Sequence, residues 1–139
     1  MNVLCEGKIF EKNKSTQNAY FLKKVCTFVM KIHLIKKTTI RNYVINNAQS
    51  RESMGAWLRE LKKADWSKPD DIKQNFCSAD LPGNGTDRVV LDIGGNRYRI
   101  ICQYFFGKRR IHLFVRWIGT HTHYTKLCTE NRQYSIQSF

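Results

Sequence analysis

The spacing of the apolar residues changes along this chain, and that change limits the folds available to it. Before residue 65, four apolar residues recur at i, i+3, i+4 and i+7, which predicts an α-helix with one buried face. From Arg88 onward apolar and polar residues alternate, which predicts strands near 88–93, 97–106 and 110–118. Helices followed by consecutive strands favour an α+β domain with helices on one face of a small antiparallel sheet. The helical residues are Met54, Trp57, Leu58 and Leu61.

Weaker patterns indicate one more strand and two more helices. A strand over 30–35 is expected to open the domain. Apolar residues over 40–48 predict a short amphipathic helix, and a third helix is predicted after residue 67, where a serine, an early proline and acidic residues come together. The residues expected to cap these three helices are Thr38 or Thr39, Ser50 and Ser67.

Length and composition divide the chain into three segments. With 139 residues, 42% of them hydrophobic, the chain is suited to one buried core. Residues 1–29 are polar and show no sustained period, so we expect an N-terminal extension that is disordered or not part of the native protein. Residues 30–130 form the expected domain and residues 131–139 a C-terminal tail.

The location of the protein is inferred from three patterns. No window reaches the roughly 18 to 20 apolar residues that a transmembrane helix needs, and no signal peptide is evident. The five cysteines are odd in number and lack CxxC spacing, which favours reduced thiols. We therefore expect a cytoplasmic protein with no membrane partner.

Charge is concentrated in the C-terminal half. The formal net charge is +13, and between Ile93 and Thr129 there are seven Lys or Arg residues, three of the four histidines and no carboxylate. A chain this basic usually binds nucleic acid, less often an anionic membrane surface or an acidic protein segment.

The turn around Gly107 sets the expected register of the last two strands. A two-residue loop at Gly107-Lys108 places Arg99 opposite Arg116 and Gln103 opposite His112. Two facing arginines are unfavourable unless an anion joins them, so a substrate phosphate is expected between them.

The same register predicts one apolar and one cationic face of the hairpin. By parity, Asp92 lies on the cationic face opposite Arg97 or Arg99, where a salt bridge that orients an arginine is its expected role. The apolar face is expected to hold Tyr98, Ile100, Cys102 and Tyr104 against Ile111, Leu113, Val115 and Trp117.

These side chains suit RNA cleavage by an internal 2′-hydroxyl. The reaction needs a proton acceptor, cations near the phosphorane oxygens and a proton for the departing 5′-oxygen. Imidazoles titrate near neutral pH, and guanidinium groups hold two phosphate oxygens at once. The candidate catalytic residues are Arg97, Arg99, Arg116, His121 and Tyr124, and the candidate substrate-binding residues are Lys108, Arg109, His112, His123 and Lys126.

Other kinds of site have weaker support. The pair His121-x-His123 lacks a second spaced pair of ligands, so no metal site is expected. The glycines at 94 and 95 are followed by Asn-Arg-Tyr rather than by Lys-Ser/Thr, so a nucleotide-binding loop is not indicated.

Four motifs in order carry a resemblance to a known family. They are Ala64-Asp65-Trp66-Ser67-x-Pro69-x-Asp71-Ile72-Lys73, Phe76-x-Ser78-Ala79-Asp80, Ile93-Gly94-Gly95-Asn96-Arg97-Tyr98-Arg99 and Gly119-Thr120-His121-x-x-Tyr124-x-Lys126. From about Lys31 to Lys126 the chain resembles the HigB-type toxins of bacterial toxin-antitoxin modules, which share the RelE-like fold.

The resemblance implies a specific activity and specific partners. It implies an endoribonuclease that cuts translated mRNA on the ribosome, needs neither metal nor cofactor, and is inhibited by a cognate HigA-type helix-turn-helix antitoxin. The matching residues are Arg97, Arg99, Arg116, His121, Tyr124 and Lys126. The chain departs from the family's usual residues at Asp92, His123 and Thr125.

Two alternatives remain beside this interpretation. One is a non-catalytic module of the same fold that binds nucleic acid or gyrase, because a fold does not fix a function. The other is an inactive toxin remnant that only binds its antitoxin, which the three departures favour.

Overall fold

A computed structural model describes residues 31–83 and 85–139, so the predicted N-terminal extension over residues 1–29 lies outside the described residues. Four strands and four α-helices follow one another along the described chain, and short 3-10 turns join several of them. The elements are β1 (Lys31–Ile35), α1 (Lys37–Asn46), α2 (Arg51–Lys63), α3 (Ile72–Asn75), β2 (Arg88–Ile93), β3 (Tyr98–Phe106), β4 (Arg110–Thr120) and α4 (His121–Thr129).

The strands form one sheet in the order β1-β4-β3-β2. β2, β3 and β4 are antiparallel neighbours, while β1 pairs in parallel with β4 at the sheet edge. The predicted α+β class and the strand positions are thereby confirmed, with the addition that β1 makes the sheet mixed.

The main core lies between the sheet and the helices α1 and α2. The predicted helical stripe is confirmed, because Met54, Trp57 and Leu61 are buried and Leu58 packs partly buried against the same cluster. These residues meet the sheet face that carries Ile100, Cys102, Leu113 and Val115, which we call the core face.

All three predicted helix caps are wrong. Helix α1 begins at Lys37, after Lys36 in the left-handed conformation (φ 66°), and neither threonine precedes it. Ser50 does precede α2, but its backbone is already helical, so its hydroxyl donates to the Asn47 carbonyl (2.7 Å) instead of accepting from the helix.

The turn before α3 is stabilised by an aspartate rather than by the predicted serine cap. The Asp71 carboxylate accepts the backbone N–H groups of Ser67 (2.9 Å) and Lys68 (3.2 Å). Burial acts to raise the pKa of Asp71, but the hydrogen bonds from Ser67 and Lys68 outweigh it and hold that pKa below its ordinary value.

The predicted β3–β4 register is wrong. Phe106 pairs with Ile111, and the Gly107 N–H donates to the Arg110 carbonyl (3.0 Å), so the connection is longer than two residues. The predicted register would have placed Arg109 opposite Phe106 on the core face. The observed one keeps that charge in the loop and places Ile111 opposite Phe106 instead.

A bulge shifts the register further. The pairing slips between Ile101 and Cys102, which leaves Arg116 as an extra residue in β4. Arg99 therefore lies opposite Gly119 and not opposite Arg116, and Gln103 lies opposite Phe114 and not opposite His112. Beyond the bulge Ile118 takes the core position predicted for Trp117, which faces the other side of the sheet.

The other side of the sheet, called here the second face, carries Arg99, Ile101, Gln103 and Phe105 of β3. It is not uniformly cationic as predicted, because a second apolar cluster is buried under α4 and the C-terminal residues. The members of that cluster are Val90, Ile101, Leu127 and Ile136, with Trp117 and Tyr124 packed against them.

Two further expectations concern thiols and membranes. Cys102 and Cys128 carry free thiols, as expected, whereas Cys77 is disulfide-bonded, contrary to the expectation of reduced thiols. Among the described residues, no helix has the length and apolar character needed to cross a membrane.

Candidate ribonuclease site

The turn between β2 and β3 is placed by its glycines. Gly94 and Gly95 both adopt positive φ (66° and 70°), a conformation that favours glycine. A Cβ on Gly94 would also lie 2.7 Å from the Ser53 hydroxyl oxygen of α2. The turn therefore packs closely against α2, which fixes the start of β3 and the arginines at 97 and 99.

Arg99 is held by polar groups on three sides. It pairs with Asp92 across β2 and β3 and is one of the two partners that parity predicted, and its Nε lies 2.9 Å from the Asp92 Oδ1. Nη2 donates to the Asn96 Oδ1 (3.0 Å) and Nη1 to the Tyr98 carbonyl (3.3 Å). Only 9% of the residue is exposed, so the guanidinium has a fixed direction before any ligand binds.

The first turn of α4 joins this group. The Thr120 hydroxyl accepts the His123 N–H (3.3 Å), which caps the helix, and the His121 N–H donates to the Arg97 carbonyl (3.0 Å). The Arg99 guanidinium carbon lies 5.9 Å from the centre of the Tyr124 ring. We call Arg97, Arg99, His121 and Tyr124 the Arg99 cluster.

Tyr124 is half-buried and strongly favours its protonated form. Burial is the largest cause that raises the pKa of Tyr124, followed by its hydrogen bond with Cys128 and the negative charge of Asp80, and the Arg99 charge offsets this only in part. Its ring packs against Trp117 with centroids 6.2 Å apart. Tyr124 therefore offers a hydrogen-bond donor at neutral pH.

Helix geometry separates the two histidines of the sequence pair. At 3.6 residues per turn, residues two apart point roughly 200° from each other, so His121 and His123 face different sides of α4. His121 shares a side with Tyr124 at i+3, and His123 shares one with Lys126. Among residues 31–83 and 85–139, no group of three or more His, Cys, Asp or Glu residues could hold a metal ion.

Arg116 lies outside the Arg99 cluster. Its Nε donates to the Gln103 Oε1 (3.0 Å), and Gln103 is four residues beyond Arg99 on β3, roughly 13 Å along the strand. Burial lowers the pKa of the neighbouring Arg88, and the positive charge of Arg116 lowers it further. Arg116 therefore belongs to a second group of cations near the C-terminal residues.

The remaining candidates lie at the far end of the hairpin or on α4. Lys108 and Arg109 are exposed in the β3–β4 connection, and His112 lies on β4 beside β1. His123 and Lys126 are exposed on α4, close in sequence to Tyr124. The structure thus divides the ten predicted residues between the Arg99 cluster, the outer side of α4, the distant hairpin and the separate position of Arg116 near the C-terminal residues.

Three contacts were not predicted from the sequence. Asn96 accepts from Arg99, Cys128 acts on Tyr124 and raises its pKa, and Gln103 accepts from Arg116. A signal existed for Cys128, because residues at i and i+4 meet on a helix, but the helix over 121–129 was not predicted. The other two contacts depend on tertiary geometry.

Sequence comparison decides the family. The model of the HigB toxin family, described as the RelE-like toxic component of a toxin-antitoxin system, matches residues 50–127, more than half of the chain. The chain belongs to the HigB toxin family. The matched range includes α2, the sheet strands β2 to β4 and most of α4, and so contains the whole Arg99 cluster.

Curated HigB proteins are similar over most of their own length. One from Escherichia coli O6:H1 (strain CFT073), named mRNA interferase HigB, is 28% identical over 102 residues, which cover 73% of this chain and 97% of that protein. Escherichia coli K12 has an mRNA interferase toxin HigB, and Shigella flexneri has an mRNA interferase HigB. Each is 25% identical over 93 residues, 67% of this chain and 88% of that protein. As a HigB-family toxin, the chain has a cognate antitoxin as its partner.

Proposed function

We propose that this HigB-family toxin is an endoribonuclease that cleaves mRNA during translation on the ribosome. The observation that carries the proposal is the Arg99 cluster. It places an oriented guanidinium, an exposed guanidinium, an imidazole and a protonated phenol at one end of the sheet. The curated relatives named mRNA interferase support the same activity.

The proposed reaction is attack by the ribose 2′-oxygen on the adjacent phosphorus. The O2′–P bond forms and the P–O5′ bond breaks, which gives a cyclic phosphate and a free 5′-hydroxyl. One proton leaves the 2′-hydroxyl and one reaches the 5′-oxygen, so the reaction is balanced without a metal ion or cofactor.

Each member of the cluster suits one part of this reaction. Arg99 and Arg97 donate to the phosphate oxygens, whose charge grows in the transition state. Arg99 has N–H groups left for this purpose, because its three contacts use only part of its five donors.

His121 and Tyr124 handle the protons in this proposal. His121 is exposed and accepts the 2′-hydroxyl proton. Because burial keeps Tyr124 protonated, its hydroxyl donates to the phosphate or to the departing 5′-oxygen. His123 and Lys126 bind the flanking phosphates from the outer side of α4. Arg116 binds RNA along the sheet, since it lies away from the cluster.

The proposal also covers partners and location. We propose that the cognate antitoxin is a HigA-type helix-turn-helix protein and that the toxin acts in the cytoplasm, where translating ribosomes are found. The family assignment supplies the antitoxin, and the antitoxin class follows from the resemblance to HigB-type toxins.

Mapping RNA 5′ ends after a short pulse of expression tests the activity. Wild type should cut a reporter mRNA within its reading frame and spare a matched reporter without a start codon. Arg99→Ala should lower cleavage on the order of 10²-fold, as for the loss of one transition-state donor, and His121→Ala should lower it as well.

Arg59→Ala is the matched control, because Arg59 is an exposed arginine on α2, outside the cluster. It should cleave like wild type. Equal cutting of both reporters would exclude ribosome dependence. If no RNA is cut, or if Arg99→Ala and His121→Ala both act like wild type, the cluster is not a ribonuclease site.

A further inference from the structure

Three side chains lie in one row across three strands at the uncovered end of the second face. Phe105 of β3 pairs with His112 of β4, and His112 pairs with His33 of β1. Residues paired in adjacent strands project from the same side of a sheet, so the three rings share this face.

The rings of this row contact one another and are accessible. The His33 and His112 rings meet edge to face with centroids 5.4 Å apart, and their Nδ1 atoms are 3.3 Å apart. The Phe105 and His112 rings lie 6.4 Å apart. Phe105 is 62% exposed and His33 is also exposed, so the row presents flat π surfaces to solvent.

Cations flank the row on both sides. Lys31 of β1 pairs with Arg110 of β4, and both are exposed. Each lies two residues before the histidine of its strand, so strand alternation places both on the same face as the row. On the other side the Arg116 guanidinium lies 5.2 Å from the centre of the Phe114 ring. The sequence has no Asp or Glu over 31–35 or 103–118.

We propose that this row, Phe105, His112 and His33, is a second RNA contact on which unpaired bases stack. Exposed rings beside cations are the combination that binds single-stranded nucleic acid with little sequence preference. The inference rests on the proposed function only in that the bound strand belongs to the mRNA that is cut.

The position of the row defines how the strand reaches the cluster. Phe105 is six residues from Arg99 along β3, roughly 20 Å. At about 3.4 Å per stacked nucleotide, this distance corresponds to at least six nucleotides between the stacked bases and the cut phosphate, because α4 and the C-terminal residues cover the direct path. Lys108 and Arg109, at the end of the same hairpin, then contact the backbone of the strand beyond the row.

The test is binding of a labelled single-stranded RNA 12-mer in which every ribose is 2′-O-methylated, so that cleavage is impossible. Phe105→Ala should weaken binding roughly tenfold, the loss of about one stacked base. Phe105→Tyr keeps a ring and should bind like wild type. Ile45→Ala is the matched control, because Ile45 is 68% exposed on α1 and lies outside the row.

The outcomes separate this inference from the proposed function. If Phe105→Ala binds the 12-mer like wild type, the stacking row is excluded. If it binds RNA normally and loses only its antitoxin, the row is a protein contact and the inference is also overturned. If Phe105→Ala weakens binding while wild type fails to cut translated mRNA, the stacking row stands and only the proposed nuclease function fails.

Discussion

At the scale of single residues, Arg99 is both oriented and partly neutralised by its neighbours. Asp92 and Asn96 fix the direction of its guanidinium, which is the condition for a donor that needs no rearrangement during reaction. The Asp92 carboxylate also places a negative charge next to the expected phosphate. Orientation and phosphate affinity therefore oppose each other at this residue pair.

Asp92→Asn separates these two effects. Its side-chain oxygen still accepts from Arg99, so the guanidinium keeps its direction, but the negative charge is gone. We expect a 2′-O-methylated RNA to bind roughly 30-fold more tightly, from about 2 kcal/mol of removed repulsion between charges ~8 Å apart at an effective dielectric constant of ~20. We expect the free energy of unfolding to fall by about 1 kcal/mol, because a charged hydrogen bond becomes neutral.

Fluorescence anisotropy and urea unfolding measure the two changes. Weaker RNA binding by a folded Asp92→Asn protein would show that Asp92 acts by orienting Arg99 and not by limiting phosphate affinity.

At the scale of elements, the bulge in β4 determines which residues of that strand lie beside Arg99. Because Arg116 is the extra residue, Trp117 and Gly119 face the second side of the sheet, and Gly119 lies opposite Arg99. A Cβ on Gly119 would come within 2.4 Å of the Trp117 ring. Glycine at this position leaves room for the indole, which packs against Tyr124 of α4.

Gly119→Ala should therefore displace the Trp117 ring. We expect a loss of about 1 to 3 kcal/mol in the free energy of unfolding, as for overpacking elsewhere, and a lower rate of RNA cleavage because Tyr124 rests on that ring.

Gly55→Ala is the comparison, measured by the same urea unfolding. A Cβ on Gly55 of α2 would meet only the Arg59 guanidinium at an ordinary 3.5 Å, so this change should stabilise the protein by about 0.5 to 1 kcal/mol. Equal stabilities of Gly119→Ala and wild type would show that the indole moves at no cost.

At the scale of the whole molecule, the two sheet faces have different tasks. The core face is covered by α1 and α2, while the second face is covered only in its middle, by α4 and the C-terminal residues. The Arg99 cluster lies on one side of this cover and the proposed stacking row on the other. The chain has 24 Lys and Arg residues against 11 Asp and Glu, so we expect an RNA strand to be bound mainly through its phosphates.

The salt dependence of RNA binding measures those phosphate contacts. For a single strand, each contact contributes about −0.7 to the slope of log K against log salt concentration. Arg97→Ala should reduce the magnitude of the slope by about 0.7, since Arg97 is an exposed member of the cluster. Arg59→Ala should leave the slope unchanged, and an equal reduction in both would indicate that binding follows net charge without a defined site.

The sequence by itself determined the α+β class, the core residues of α2 and the position of Asp92 opposite Arg97 or Arg99, and the structure selects Arg99. The first two depend on local periodicity. The third depends on one short turn, because the alternation of faces has to be followed across only a few residues there. Tertiary structure alone decided that Arg116 lies apart from Arg99, because register depends on which residue bulges. That choice follows from packing Ile118 into the core and Trp117 under α4. Tertiary structure also decided that His121 and His123 face different sides, because Thr120 caps a helix that begins at His121. The sequence shows no strong apolar period there, so this helix was not predicted.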